Sequence, residues 1–148
     1  MNRSLGSEFA DANDSPGLML WRASNRWQAC QQAALRPFSL THVQFVLLAS
    51  LAWLQGDSPV TQRALSDHAH TDPMMTSQVL QVLDTKGLIR REPNPTDGRA
   101  RALTLTPEGA APADRANSAV EEADRRFFGP LERRLPLFRQ MLLALTEG

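Results

Sequence analysis

The sequence has one cysteine, Cys30, and no tyrosine. A single thiol cannot form an intrachain disulfide framework, so any stable fold must rest on a buried apolar core. A lone cysteine also fits a reducing, cytoplasmic compartment. Net charge is lacking as well: 16 Lys+Arg stand against 16 Asp+Glu, a formal charge of +0. That excludes a histone-like or ribosomal type of protein, and any nucleic-acid binding must come from a local basic feature. No run of 18 or more apolar residues occurs, so no transmembrane helix and no membrane partner are expected. The basic-then-apolar pattern of a secretory signal is missing. There is no Gly-rich phosphate loop, no nucleophile elbow and no H-E-x-x-H, so no enzyme and no cofactor are expected.

What is present is a globular chain of 148 residues, 42% hydrophobic and 22% charged. Residues 1–16 are polar and small and are expected to form a poorly ordered tail, in which Gly6-Ser7-Glu8-Phe9 reads like vector-encoded cloning sequence. A helix is expected from about Gly17 to Arg36, with Leu18, Trp21, Asn25, Gln28 and Gln32 on one mixed stripe. The Arg36-Pro37 pair ends it. Thr41-His42-Val43-Gln44 fits a capping box, in which the threonine hydroxyl accepts from the third helical N–H and Gln44 reaches back. The segment it opens is apolar nearly all round, from Val43 and Phe45 to Leu54, so this helix is expected to be central.

Thr61 then caps a short helix to about Ala69, with Ala64 and Leu65 expected to face inward. A turn at His70-Thr71 leads to Asp72-Pro73, an N-cap followed by proline at the first helical position. Thr76, Val79, Leu80 and Leu83 repeat at helical spacing as one buried face, and Gly87 is the stop. After Gly87 the period becomes that of strands. Leu88 to Glu92 and Arg99 to Leu105 read as two strands joined by the turn-rich Pro93 to Gly98. Thr106-Pro107-Glu108 restarts a helix expected to run to about Phe128. Gly129-Pro130 breaks it, and a last helix from about Leu131 to Leu145 carries Leu135, Phe138, Met141, Leu142 and Leu145 as its stripe.

Short helix, turn, helix and hairpin, in that order, form a winged helix-turn-helix. The fold class expected is mainly α with a small β-hairpin wing. In such a unit the second helix can read base edges in the major groove, and the wing can reach the adjacent minor groove. Ser77, Gln78 and Gln81 suit base-edge or phosphate contacts, and Met74 and Met75 suit thymine methyls. The same five residues also suit an ordinary solvated helix face. At the wing, Asp97-Gly98-Arg99-Ala100-Arg101 places two arginines beside an acid that can orient Arg99.

Taken together, Asp72 to Leu80, Lys86-Gly87-Leu88-Ile89-Arg90-Arg91, Asp97-Gly98-Arg99-Ala100-Arg101 and Leu103-Thr104-Leu105-Thr106-Pro107-Glu108-Gly109 resemble the winged-helix core of the MarR family. The resemblance implies a dimeric transcription regulator, a repressor on an inverted-repeat operator in double-stranded DNA. It implies a DNA-binding lobe over residues 57–106 and a helical dimerisation lobe over residues 17–56 and 107–148. Arg99 then resembles the minor-groove arginine, Asp97 its orienting acid and Arg101 a further wing contact. Many relatives carry Arg in place of Gln78 and hydroxyl residues in place of Met74 and Met75, which leaves the bases read open.

The family's regulators respond to small aromatic ligands, metals or oxidants, which leaves three kinds of effector open. A small aromatic effector in a pocket lined by Trp21, Asn25, Phe45 or Trp53 is the default expectation. A thiol sensor would need Cys30, with Arg26 one helical turn before it. A metal sensor would need a meeting of Cys30, His42 and Glu108, since His68 and His70 do not share a helix face; no metal site is expected. A winged helix used for protein contact alone is the remaining alternative.

Charge divides unevenly along the chain. Residues 57–85 hold Arg63 against Asp57, Asp67, Asp72 and Asp84, while residues 86–101 hold Lys86, Arg90, Arg91, Arg99 and Arg101 against Glu92 and Asp97. The positive charge thus collects on the hairpin and the end of the helix before it.

Overall fold

The computed structural model describes residues 5–56, 58–94 and 101–147. A 3-10 turn at Ala12–Asp14, closed by an Asp11 capping box, occupies part of the segment expected to lack order. Helix α1 (Pro16–Leu35) follows, with the Ser15 hydroxyl accepting from the Leu18 N–H at 3.2 Å. Its inward stripe is not the expected one. Trp27, Gln31 and Leu35, at i, i+4 and i+8, face the interior, while Trp21 and Asn25 are exposed. The reason is tertiary: the antiparallel α5 lies on this side and offers Asp124 to two α1 donors.

Helix α2 (His42–Leu54) starts at the expected capping box, with Gln44 N–H to Thr41 Oγ1 at 3.2 Å and Thr41 N–H to Gln44 Oε1 at 3.1 Å. It is the central helix. Phe45, Leu47, Leu48 and Leu51 are buried against α1, α3, α4 and α5. Trp53 at its far end points outward and is 84% exposed.

Strand β1 (Val60–Thr61) leads into α3 (Gln62–Ala69), and α4 (Pro73–Thr85) follows a turn at His70, which adopts φ +53. On α3 the buried pair is Leu65 and Ser66, not Ala64 and Leu65. In so short a helix, Ser66 can point inward at Ala64's expense because its hydroxyl donates to the Arg63 carbonyl at 3.3 Å. Of the α4 face that the spacing predicts, Thr76, Leu80 and Leu83 are buried and Val79 is half-buried.

Strands β2 (Ile89–Pro93) and β3 (Arg101–Leu105) pair antiparallel, with Ile89 opposite Leu105 and Arg91 opposite Leu103. The sheet has three strands, in the order β1-β3-β2, rather than the two expected. Two residues are too few to show a period, so β1 is recognised only by its partner: Val60 sits opposite Leu103. At the end of β3 the Leu105 N–H donates to Gln55 Oε1 at 2.6 Å.

The α4–β2 turn and the start of α5 (Pro107–Phe128) are joined tightly. Gly87 adopts φ +75 after α4, a conformation that favours glycine. Its carbonyl accepts from Thr106 Oγ1 at 2.6 Å, and the same hydroxyl caps α5. Gly109 leaves no room for a side chain, because a Cβ there would overlap the Leu88 carbonyl. The last helix, α6 (Leu135–Thr146), starts four residues later than expected. Pro136 must lie in a first helical turn, so Gly129–Arg134 form a 3-10 segment with Glu132 at φ +50. No residue of α6 is buried.

Candidate nucleic-acid interface

Helix α4 is held by three local devices. The Asp72 carboxylate accepts from the Met75 N–H at 2.9 Å and caps the helix. The Thr76 hydroxyl donates to the Asp72 carbonyl at 2.7 Å and lies 2.6 Å from the Thr71 hydroxyl. Leu80 and Leu83 then anchor the helix in the core. What remains outward is Met74, Gln78 and Gln81, all exposed, at i, i+4 and i+7. Met75 and Ser77 flank this ridge and are half-buried. All five suggested readers therefore lie on or beside the free face of one capped helix.

The hairpin is known in its strands. Arg101 is exposed on β3, opposite Pro93. Asp97 and Arg99 lie outside the described residues. The basic residues before the tip have different situations. Arg90 is on the outer face, with a loose 3.7 Å contact to Glu92. Arg91 is on the inner face, its Nε 3.2 Å from Asp84 Oδ2 of α4. The local positive charge is thus smaller than its count, because one of its arginines is bound to an acid of the neighbouring helix.

The four residues proposed for an effector pocket do not converge. Asn25 donates to the Trp21 carbonyl at 2.7 Å on the outside of α1, Phe45 is buried in the core, and Trp53 is in solvent. None of them lines either of two cavities that are present. The larger, about 920 Å³, is an open groove between α1 and α5 with Arg22, Arg26, Cys30 and Arg126 along an alanine-rich floor. The smaller, about 220 Å³, is aromatic, with Trp27, Phe127, Phe128 and Phe138 on its walls. Trp27 also belongs to a polar cluster that the sequence did not disclose. Trp27 Nε1 and Gln31 Nε2 both donate to Asp124 Oδ1, at 2.8 and 2.7 Å. Gln31 Oε1 is buried without a partner. The Trp27 and His42 rings meet edge to face at 5.0 Å. Burial holds the His42 imidazole below its ordinary pKa, opposed by the nearby Asp124 carboxylate. Among the described residues no three His, Cys, Asp or Glu form a metal site, so Cys30, His42 and Glu108 do not meet. No single helix among them is long and apolar enough to cross a membrane.

The profile of the MarR family matches residues 40–100, from the start of α2 to the hairpin. A transcriptional regulator of Bacillus subtilis, YdcH, named as an uncharacterised helix-turn-helix protein, is 43% identical over 124 residues, covering 82% of this chain and 84% of the relative. The chain belongs to the MarR family. Members of this family are DNA-binding transcription regulators and not enzymes. Among solved structures, the transcriptional repressor CouR of Rhodococcus jostii, bound to a 23-mer DNA duplex, superimposes with a TM-score of 0.81 at 25% identity over 96% of this chain and all of that one. The regulator BpsR of Bordetella bronchiseptica, whose DNA binding is regulated by 6-hydroxynicotinic acid, superimposes with a TM-score of 0.77 at 25% identity, covering 89% of this chain and 98% of that one. This MarR-family chain therefore shares the fold over nearly its whole length.

Proposed function

We propose that this MarR-family chain acts in the cytoplasm as a homodimeric repressor. Each α4 enters a major groove of an inverted-repeat operator, and each wing reaches the neighbouring minor groove. The observation that carries this reading is the free ridge of Met74, Gln78 and Gln81 on a capped, core-anchored helix, together with an exposed Arg101 on the hairpin. Among the described residues nothing covers that ridge, and its polar and thioether side chains suit adenine edges and thymine methyls. That CouR, a repressor of the same fold, is bound to a DNA duplex supports a DNA-binding reading. Asp97 and Arg99 are proposed to complete the wing, with Ser77 and Met75 at the edge of the helix contact.

The division of labour proposed is a DNA-binding lobe over residues 57–106 and a dimerisation lobe made of α1, α2, α5 and α6. Support comes from α6, where Leu137, Met141 and Leu145 are each more than half exposed. Such a row of large apolar side chains marks an interaction surface. A two-fold dimer implies two half-sites about one helical turn apart. The effector proposed is a small aromatic acid, supported by the ligand of the BpsR relative. Its binding would shift the population of dimers whose α4 helices match the half-site spacing.

The direct test is selection from a random duplex library, followed by light scattering on the free protein. The expected outcome is an enriched inverted repeat and a mass twice that of one chain. No enrichment over random DNA would end the repressor reading, and a monomer at micromolar concentration would end the dimer.

A further inference from the structure

Two charged residues of the winged helix occupy places that are unfavourable for each alone. Asp84 is in the last turn of α4, two residues before the Lys86 cap. The partial negative charge of a helix C-terminus repels a carboxylate there. Arg91 stands on β2 opposite Leu103, which is only 3% exposed. Cross-strand partners share a face, so Arg91 projects from the inner side of the sheet with Ile89, while Arg90 takes the outer side. A guanidinium on that side lies along the core and α4 and is only partly solvated. The two residues answer each other: Nε to Oδ2 is 3.2 Å, and the side chains retain 24% and 38% of their surface.

We propose that Asp84 and Arg91 form a positioning pair that sets the angle of the wing against the DNA-reading helix, and that Arg91 is not itself a phosphate contact. The pair bridges the two elements that must engage neighbouring grooves together. It lies at the same junction as the Gly87–Thr106 hydrogen bond and the close approach of Gly109 to Leu88, so the base of the wing is fixed on two sides. Of the remaining described cations of the hairpin, Arg90 is on the outer face and Arg101, on the Arg91 face but farther from α4, is exposed; both are left for the DNA backbone. The proposal rests on the DNA-binding reading above.

The experiment uses the full chain and the duplex it selects from a random library, titrated by fluorescence anisotropy at several salt concentrations. Asp84→Asn and Arg91→Gln are each expected to weaken binding by about fivefold. The salt slope should stay as in the unaltered protein, because no phosphate contact is lost. The reversed pair, Asp84→Arg with Arg91→Asp, and the conservative Asp84→Glu should recover most of the loss, which mere destabilisation would not predict. Arg91→Lys reads the same pair if Arg91→Gln does not fold. The proposal falls if Arg91→Gln lowers the slope by about one while Asp84→Asn leaves affinity unchanged, the signature of a phosphate contact. It also falls if a folded reversed pair binds as weakly as the single variants, or if neither single variant moves affinity. An unaltered chain that selects no sequence would instead break the DNA-binding reading itself.

Discussion

The winged helix and the α1–α5–α6 region solve the same problem in opposite ways. In the first, each apolar face finds its partner within the chain. Leu65, Leu80, Leu83, Ile89 and Leu103 are buried around α2, and caps close α3 and α4. In the second, α6 buries none of its residues, and Leu135, Leu137, Met141, Leu143 and Leu145 stay exposed. The groove between α1 and α5 is likewise open. A single copy thus completes one core and leaves the other unfinished. Under the dimer proposed above, the contrast assigns stability and assembly to different halves of the molecule, and substitutions should separate them.

The largest effect is expected where the core is complete. Leu83→Ala removes a side chain with no exposed surface and should cost about 2–5 kcal/mol of unfolding free energy. Leu143→Ala, on the exposed flank of α6, should cost far less in an isolated chain. Chemical denaturation of both variants at low protein concentration checks this. Equal costs would show that α6 is buried by its own chain after all, and the contrast between the halves would fail.

Assembly should respond in the reverse order. Met141→Glu places a charge in the middle of the exposed α6 row and is expected to weaken dimerisation by at least about a hundredfold, by analogy with a charge buried without a partner. The winged-helix core should keep its circular dichroism and the thermal transition of its folded monomer. Light scattering across a dilution series reads the first and melting the second. A dimer unaffected by Met141→Glu would move the interface elsewhere.

How much of this contrast could be read from sequence depends on the range of the signals. The caps at Thr41, Thr61, Asp72 and Thr106 are local, each a side chain and a backbone N–H a few residues apart, and all four were legible. So was the buried face of α4. The stripe of α1 was not, because Gln31 is an inward residue only by virtue of Asp124, 93 positions away. Strand β1 failed for want of length. Trp21, Asn25, Phe45 and Trp53 have the right chemistry for an aromatic ligand. Nothing in their spacing says that one would be in the core and three exposed. On the DNA side, Met74, Met75, Ser77, Gln78 and Gln81 share a face because a helix imposes it, whereas the pairing of Arg91 with Asp84 required the register of the sheet.

A smaller effect sharpens the DNA half. Arg101→Ala should weaken operator binding by about threefold to tenfold and reduce the salt slope by about one, if the exposed guanidinium meets a phosphate. Arg91→Gln is expected to leave the slope alone, so the two arginines of one hairpin become a control for each other. Identical slopes for the two variants would erase the distinction between the Asp84-bound arginine and the exposed one farther along the wing.

The smallest effect lies where the two halves meet, at His42. Its imidazole has a folded pKa lowered from 6.5 by burial against α1, with Asp124 opposing the shift. The unfolded chain then binds the proton more readily than the folded one, so stability rises with pH wherever the two states differ in protonation. This contribution is complete above about 6.5 and is lost as the pH falls through the lowered folded value. Melting curves from pH 7.5 to 5 should therefore show a modest decline that His42→Leu flattens. Asp124→Asn removes the carboxylate that favours the charged ring, so the folded pKa should drop further and the decline extend to lower pH. It also weakens the bonds from Trp27 and Gln31, so the whole curve should sit lower. A curve for Asp124→Asn that is lower but no steeper toward acid would mean that Asp124 serves Trp27 and Gln31 alone and does not act on His42.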